Sequence, residues 1–84
     1  MTAVATKQRK RRTKVPKLTL AQQVGEQVAY WRGERGYTQA MLANEADCTV
    51  KHIAECEHGR VNLSLPMLDS IASILEVNPS DLLP

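Results

Sequence analysis

The first chemistry that the sequence offers is a run of cations near its N-terminus. Seven of the eleven Lys and Arg residues precede Leu18, whereas no acidic residue occurs before Glu26. Six of the seven form the run itself: Lys7, Arg9, Lys10, Arg11, Arg12 and Lys14. Such a density of positive charge binds polyanions, and it favours nucleic acid over a membrane surface as the partner. We expect the run to contact nucleic acid; a solubilising tail is the alternative.

Four residues in the middle of the chain have side chains that can bind a metal ion, namely Cys48, His52, Cys56 and His58. Helical spacing brings the first three toward one side. The alternative is that both cysteines pack as small apolar side chains, as free cysteine commonly does. A zinc site usually draws its ligands from separate elements and contains closely paired cysteines. The sequence therefore favours packing, and we expect neither a metal nor a cofactor.

Several classes of protein are disfavoured by what the sequence lacks. No nucleophile–base pair, glycine-rich phosphate loop or carboxylate pair stands out, and a chain of 84 residues has little room for a pocket, so we expect no enzyme. No signal peptide and no apolar run of about 18 residues is present. The two cysteines do not form a disulfide framework, because helical rise would hold them too far apart. These features predict a reduced, cytoplasmic protein without a membrane partner.

The hydrophobic pattern divides the chain near residue 18. Residues 1–17 show no periodicity, are rich in Lys and Arg, and contain Pro16, so we predict a flexible basic N-terminal arm. Residues 18–84 carry helical periods and no strand pattern, which predicts one small domain of helices.

Five helices are predicted in this domain. They cover residues 20–35, 39–46, 50–57, a segment after residue 64, and a short turn from residue 78 through 83. Thr38, Thr49 and Ser64 are the expected N-caps. The fourth helix carries an apolar stripe consisting of Leu65, Leu68, Ile71, Ala72 and Leu75. An exposed apolar end is expected at Val77, Leu82 and Leu83.

The second and third predicted helices are joined by a tight turn of about three residues, which is the spacing of a helix-turn-helix. Ala43 supplies the small side chain required where the two helices cross. Ile53 and Cys56 supply the apolar contacts that hold the second of them. An outward row is left to face base edges, and it consists of Val50, Lys51, His52, Ala54 and Glu55.

An ordered set of residues strengthens this interpretation. It begins with Gly25, Val28, Trp31, Arg32, Gly36, Thr38, Gln39, Leu42 and Ala43, and continues with Thr49, Ile53, Glu57, Gly59, Leu65, Leu68, Ala72, Leu75 and Val77. In order and spacing the set resembles the lambda-repressor-like (Xre-type) helix-turn-helix family. The resemblance implies an all-α, compact five-helix DNA-binding domain.

The resemblance also implies a function. It implies a sequence-specific transcriptional regulator, either a repressor or a controller-type activator, that binds double-stranded DNA as a homodimer on a palindromic operator. Arg32 and Glu57 would form a partly buried ion pair with a structural role. The alternative is an antitoxin-like protein-interaction module that keeps the fold and binds a protein partner.

Roles for individual residues follow from the resemblance by position. Gln39 would hold a phosphate, and Thr49 would cap the helix and reach the DNA backbone. Lys51, His52 and Glu55 would contact bases, while Val50 would touch a thymine methyl group. The phosphate contacts would be completed by His58, Arg60 and the basic arm.

Overall fold

Four α-helices and one 3-10 helix form residues 18–84, the part of the chain that this computed structural model describes. The elements are α1 (Leu20–Glu34), α2 (Gln39–Glu45), α3 (Val50–Glu57), α4 (Leu65–Leu75) and the 3-10 helix (Pro79–Leu82). Within this range there is no strand, and no helix is long and apolar enough to cross a membrane.

The prediction of an all-helical domain is confirmed, but the prediction of five α-helices is wrong. The last element is four residues long, and its N–H groups bond to carbonyls three residues back, as in Asp81 N–H to Asn78 O at 2.8 Å. Pro79 at its start provides no N–H donor. A segment this short closes one tight turn rather than an α-helical ladder.

Each α-helix begins after a hydroxyl side chain that accepts a hydrogen bond from the backbone N–H three residues further on, at 3.0–3.2 Å. These N-caps are Thr19, Thr38, Thr49 and Ser64. Three of them were expected from the sequence, and Thr19 was not. Its N–H donates to Gln22 Oε1 at 2.8 Å, which completes a reciprocal cap at the start of α1.

The core consists almost entirely of aliphatic side chains contributed by all four α-helices and the 3-10 helix. Its members are Val24, Val28, Leu42, Ala43, Ile53, Cys56, Leu68, Ile71, Ala72, Leu75 and Leu82. Two predictions about leucines are wrong. Leu65 is 78% exposed, because the first residue of α4 lies beyond the edge of the core. Leu82 is fully buried rather than part of an exposed end, because the 3-10 turn directs it against α1 and α4.

The closest backbone approach in the domain lies between α1 and the end of α3. A Cβ atom on Gly25 would overlap the carbonyl oxygen of Cys56 and would lie 2.7 Å from that of Glu57. Glycine is therefore required sterically at this crossing. It lets α1 lie directly against the C-terminal turn of α3, which is the helix expected to contact DNA.

Candidate nucleic-acid interface

The third helix has one buried face and one open face. Ile53 is fully buried and Cys56 is 1% exposed, so both side chains hold α3 against the core. On the opposite side Val50 is 46% exposed and Lys51 is exposed, whereas His52 is half-buried. The side chains predicted to face bases therefore surround the N-terminal turn of α3.

The turn that precedes α3 fixes the position of this N-terminal end. Asp47 adopts a left-handed backbone conformation with a φ of 58°, and the N–H of Cys48 donates to Ala43 O at 2.9 Å. The Thr49 hydroxyl then accepts from His52 N–H at 3.0 Å. The start of α3 is thus fastened to α2 by backbone bonds and closed by its own cap.

A carboxylate at the last residue of α3 joins three elements. Arg32 of α1 donates from Nε to Glu57 Oε2 at 2.6 Å and from its terminal nitrogen to Glu57 Oε1 at 3.2 Å. Gln39 of α2 donates from Nε2 to the same Oε1 at 2.9 Å. The Arg32 guanidinium also donates to the carbonyl of Tyr37 at 2.8 Å. The Glu57 side chain is only 7% exposed, so the pair is well shielded from solvent.

Gln39 has a role here that the sequence did not suggest. It was expected to hold a phosphate, but the structure directs its amide nitrogen to Glu57, 18 residues further along the chain. An amide nitrogen carries two hydrogens, so one remains for a second acceptor. The only signal in the sequence was the spare acceptor capacity of a carboxylate that also meets an arginine.

Glu55 and Arg60 form a pair that was not predicted either. The Arg60 guanidinium donates to Glu55 Oε2 at 3.3 Å, and the backbone N–H of Arg60 donates to Glu55 O at 2.9 Å. The two side chains are 30% and 63% exposed. Such a solvent-exposed pair contributes under about 1 kcal/mol. It can therefore open at little cost when a stronger partner is present.

His58 lies just beyond α3 and turns back onto the helix. Its Nδ1 lies 2.8 Å from Ala54 O. A carbonyl oxygen only accepts, so Nδ1 carries the hydrogen and Nε2 is directed elsewhere. Of the residues expected to contact phosphate, Thr49, His58 and Arg60 are all exposed. The six basic residues between positions 7 and 14 lie outside the described residues.

The two cysteines pack against or within the core. Burial raises the pKa of the Cys56 thiol to about 11, and burial also raises the pKa of the half-buried Cys48 thiol. Across residues 18–84 no three His, Cys, Asp or Glu side chains form a group that could hold a metal ion. The polar groups around α3 are arranged to donate and accept hydrogen bonds at an exposed helix face.

Comparison with known proteins gives one family match and several similar structures. The HTH_3 helix-turn-helix family model matches residues 28–82. The clp gene regulator ClgR from Corynebacterium glutamicum is 26% identical with a TM-score of 0.78, covering 82% of this chain and 88% of that one. The restriction-modification controller protein C.AhdI from Aeromonas hydrophila is 24% identical with a TM-score of 0.71, covering 74% and 94% respectively.

A third similar structure belongs to an enzyme. Hydroxypropylphosphonic acid epoxidase from S. wedmorenis is 27% identical with a TM-score of 0.74, over 79% of this chain but only 35% of the epoxidase. No curated protein matches the sequence significantly. The shared feature of the solved structures is therefore a helical domain, which one protein carries as a minor part of its length.

Proposed function

The chain belongs to the HTH_3 helix-turn-helix family, of the lambda-repressor-like or Xre type, and from this membership we propose that it is a sequence-specific DNA-binding transcriptional regulator. In this proposal α3 lies in the major groove, α2 lies across the DNA backbone, and two copies bind a palindromic operator. The regulator requires no metal or cofactor.

The observation that carries the proposal is the open N-terminal face of α3 on a helix that is otherwise held rigidly. Lys51 is positioned to donate to guanine O6 and N7, and Val50 to contact a thymine methyl group. The buried side chains of Ile53 and Cys56 fix the opposite face. Because the helix does not have to be ordered during binding, little of the contact energy is lost to entropy.

The exposed pair at the end of α3 suits a contact that forms only on DNA. Arg60 would leave Glu55 for a phosphate, since charge-assisted contacts to phosphate are stronger than a solvent-exposed ion pair. Glu55 would then accept a hydrogen bond from cytosine N4. In the free protein, the same pairing keeps the Glu55 charge neutralised.

Phosphate contacts would surround this base-contacting face. The remaining N–H of Gln39 and the hydroxyl of Thr49 lie at the start of α2 and the cap of α3, and His58 and Arg60 lie beyond its end. The basic run at residues 7–14 would add contacts that do not depend on sequence. Contacts to phosphate set the register of the protein, whereas contacts to bases select the site.

The similar structures favour regulation over catalysis. ClgR and C.AhdI are described as a gene regulator and a controller protein, and this chain covers most of each. The epoxidase is covered over 35% of its length, so none of its activity is carried over to this chain. We therefore propose no catalytic activity.

The experiment that tests the proposal is selection of bound duplexes from a random DNA pool at near-physiological salt. We expect enrichment of a palindrome whose half-sites are centred about 34 Å apart, one turn of DNA. Lys51→Ala should lose the enrichment, whereas Ser73→Ala on the exposed side of α4 should keep it. Binding that is salt-sensitive but enriches no sequence would contradict base recognition by α3.

A protein-interaction module remains the second candidate, because several leucines of the domain are exposed. It predicts that Lys51→Ala and removal of residues 1–14 leave the biological activity intact. The DNA-binding proposal predicts that both changes abolish it.

A further inference from the structure

A cluster of leucines is left exposed at one end of the domain. Leu18, Leu20, Leu65 and Leu83 are 46%, 60%, 78% and 43% exposed. Three of them, Leu20, Leu65 and Leu83, line one groove of about 230 Å³. The floor and remaining walls of this groove are Ala21, Val24, Cys56, Val61, Asn62, Leu63 and Leu68. The four exposed leucines and the groove are called the leucine patch below.

The patch is costly for an isolated domain and well prepared for a contact. Exposed apolar patches of a few hundred Å² or more mark interaction sites on soluble proteins. Leu20 and Leu65 are the first residues of α1 and α4, and each follows a capping hydroxyl that fixes the local backbone. Their positions are therefore set before any partner arrives, which lowers the entropy lost on association.

We propose that the leucine patch is the surface through which two copies of this chain associate. The inference rests on the proposed function in one respect, since it supplies the dimer that a palindromic operator requires. A two-fold contact needs a surface that is complementary to itself. The patch meets this requirement because it combines protruding leucines with an apolar groove that receives them.

The chemistry of the groove disfavours other occupants. No charged residue lines it, so nothing there selects an acidic or a basic partner. Residues 1–17 lead directly into Leu18, but seven of them are Lys or Arg. Placing such a segment in an apolar groove would strip water from cations without giving them acceptors. A second leucine patch has no such cost.

The location of the patch is compatible with DNA binding. Cys56 near the end of α3 lines the groove, and Val61 follows Arg60 directly. The patch thus adjoins the C-terminal end of α3 and leaves Val50 and Lys51 at the other end uncovered. Because the patch is smaller than the surfaces that stable complexes bury, the free dimer is weak and its formation on DNA is cooperative.

The test compares Leu65→Glu with Ser73→Glu, which places the same charge on α4 outside the groove. Leu65→Glu should preserve folding, because the side chain is exposed and a carboxylate is favourable in the first turn of a helix. Sedimentation equilibrium should show the dimer dissociation constant rising roughly tenfold or more for Leu65→Glu, because each substitution occurs twice across the two-fold axis. Ser73→Glu should match the wild type. Leu83→Glu, in a different element, should reproduce the Leu65→Glu result.

DNA titrations separate this inference from the proposed function. On the selected palindrome, Leu65→Glu should lose cooperativity while its affinity for a single half-site stays unchanged. A wild type that is monomeric both free and on the palindrome overturns the inference, and so do two leucine variants that sediment like the wild type. Self-association that is abolished in both variants supports the inference even if no DNA sequence is selected, in which case only the proposed function fails.

Discussion

The Arg32 guanidinium of α1 holds the Glu57 carboxylate of α3 through two hydrogen bonds of 2.6 and 3.2 Å. The same carboxylate accepts from Gln39 of α2, so one buried charge sets the mutual position of three helices. Neither partner is placed at the exposed face of α3. The pair therefore acts on DNA binding through the orientation of that helix.

Removal of Arg32 should destabilise the domain strongly. Arg32→Met leaves a carboxylate that is only 7% exposed with Gln39 as its remaining donor, which we expect to cost about 3 kcal/mol. Urea unfolding measures the change. The double variant Arg32→Met/Glu57→Gln removes the stranded charge as well, so it should recover part of the loss. A single variant that loses less than about 1 kcal/mol would show that water screens the site.

The two glycines of α1 should respond oppositely to alanine. At Gly25 the new Cβ meets backbone carbonyls of α3 that cannot rotate away, so Gly25→Ala should cost about 2–3 kcal/mol despite the better helix propensity of alanine. A Cβ atom on Gly33 would meet nothing within 4 Å, and this residue is exposed, so Gly33→Ala should stabilise by up to about 1 kcal/mol. Thermal unfolding of both variants tests the crossing. Equal shifts of the same sign would contradict it.

Two changes should separate base recognition from phosphate binding. Glu55→Ala should relax the preference at one base pair by about 1–3 kcal/mol while changing the overall affinity little, because the carboxylate accepts from only one base. Deletion of residues 1–14 should weaken binding to all duplexes alike and reduce the salt slope by about 0.9 for each phosphate that the arm had neutralised. Competition with specific and random duplexes over a range of salt measures both effects. Equal losses on the two duplexes for Glu55→Ala would exclude Glu55 from base recognition.

Alkaline pH should destabilise the domain through Cys56. Burial raises the pKa of the Cys56 thiol in the folded state to about 11, whereas the unfolded thiol ionises near its ordinary value of 9.0. Between these values the unfolded chain releases a proton that the folded chain keeps, so the free energy of unfolding falls as pH rises. The full contribution is present below pH 9.0.

The loss through Cys56 should reach about 2–3 kcal/mol near the upper end of this window. Urea unfolding at pH 8 and near pH 10.5 measures it, and Cys56→Ala provides the comparison. The pKa of Tyr37 is also raised, chiefly by the hydrogen bond that its hydroxyl donates to Glu45, and the pKa of Cys48 is raised by burial. Cys56→Ala should therefore reduce the pH dependence without abolishing it. An unchanged dependence would mean that the other groups account for it.

Local signals explain which elements the sequence predicted. Val50–Glu57 was predicted with its observed limits, because Thr49 marks its start and Gly59, with a φ of 71°, follows its end. Leu65 was misassigned because apolar spacing identifies the face of a helix but not whether its first turn extends beyond the core. Leu82 was misassigned because its burial depends on a turn that brings it back to α1.

The polar contacts of the site were harder to predict for a different reason. Gln39 and Glu57 are 18 residues apart and meet only after α2 and α3 have packed. Glu55 and Arg60 are separated by the end of a helix, so the spacing rules for pairs within helices do not apply to them. Both contacts depend on tertiary structure, which no local pattern encodes.

The two faces of α3 also bear on how new specificities arise. Ile53, Cys56 and Glu57 make the contacts that hold the helix in place, whereas Val50 and Lys51 make none of them. Substitutions at Val50 and Lys51 are thus free of the stability cost that normally limits change in a domain of this size. The helix is a natural starting point for directed evolution, in which a library varied at these exposed positions alone would yield regulators for other operators on an unchanged scaffold.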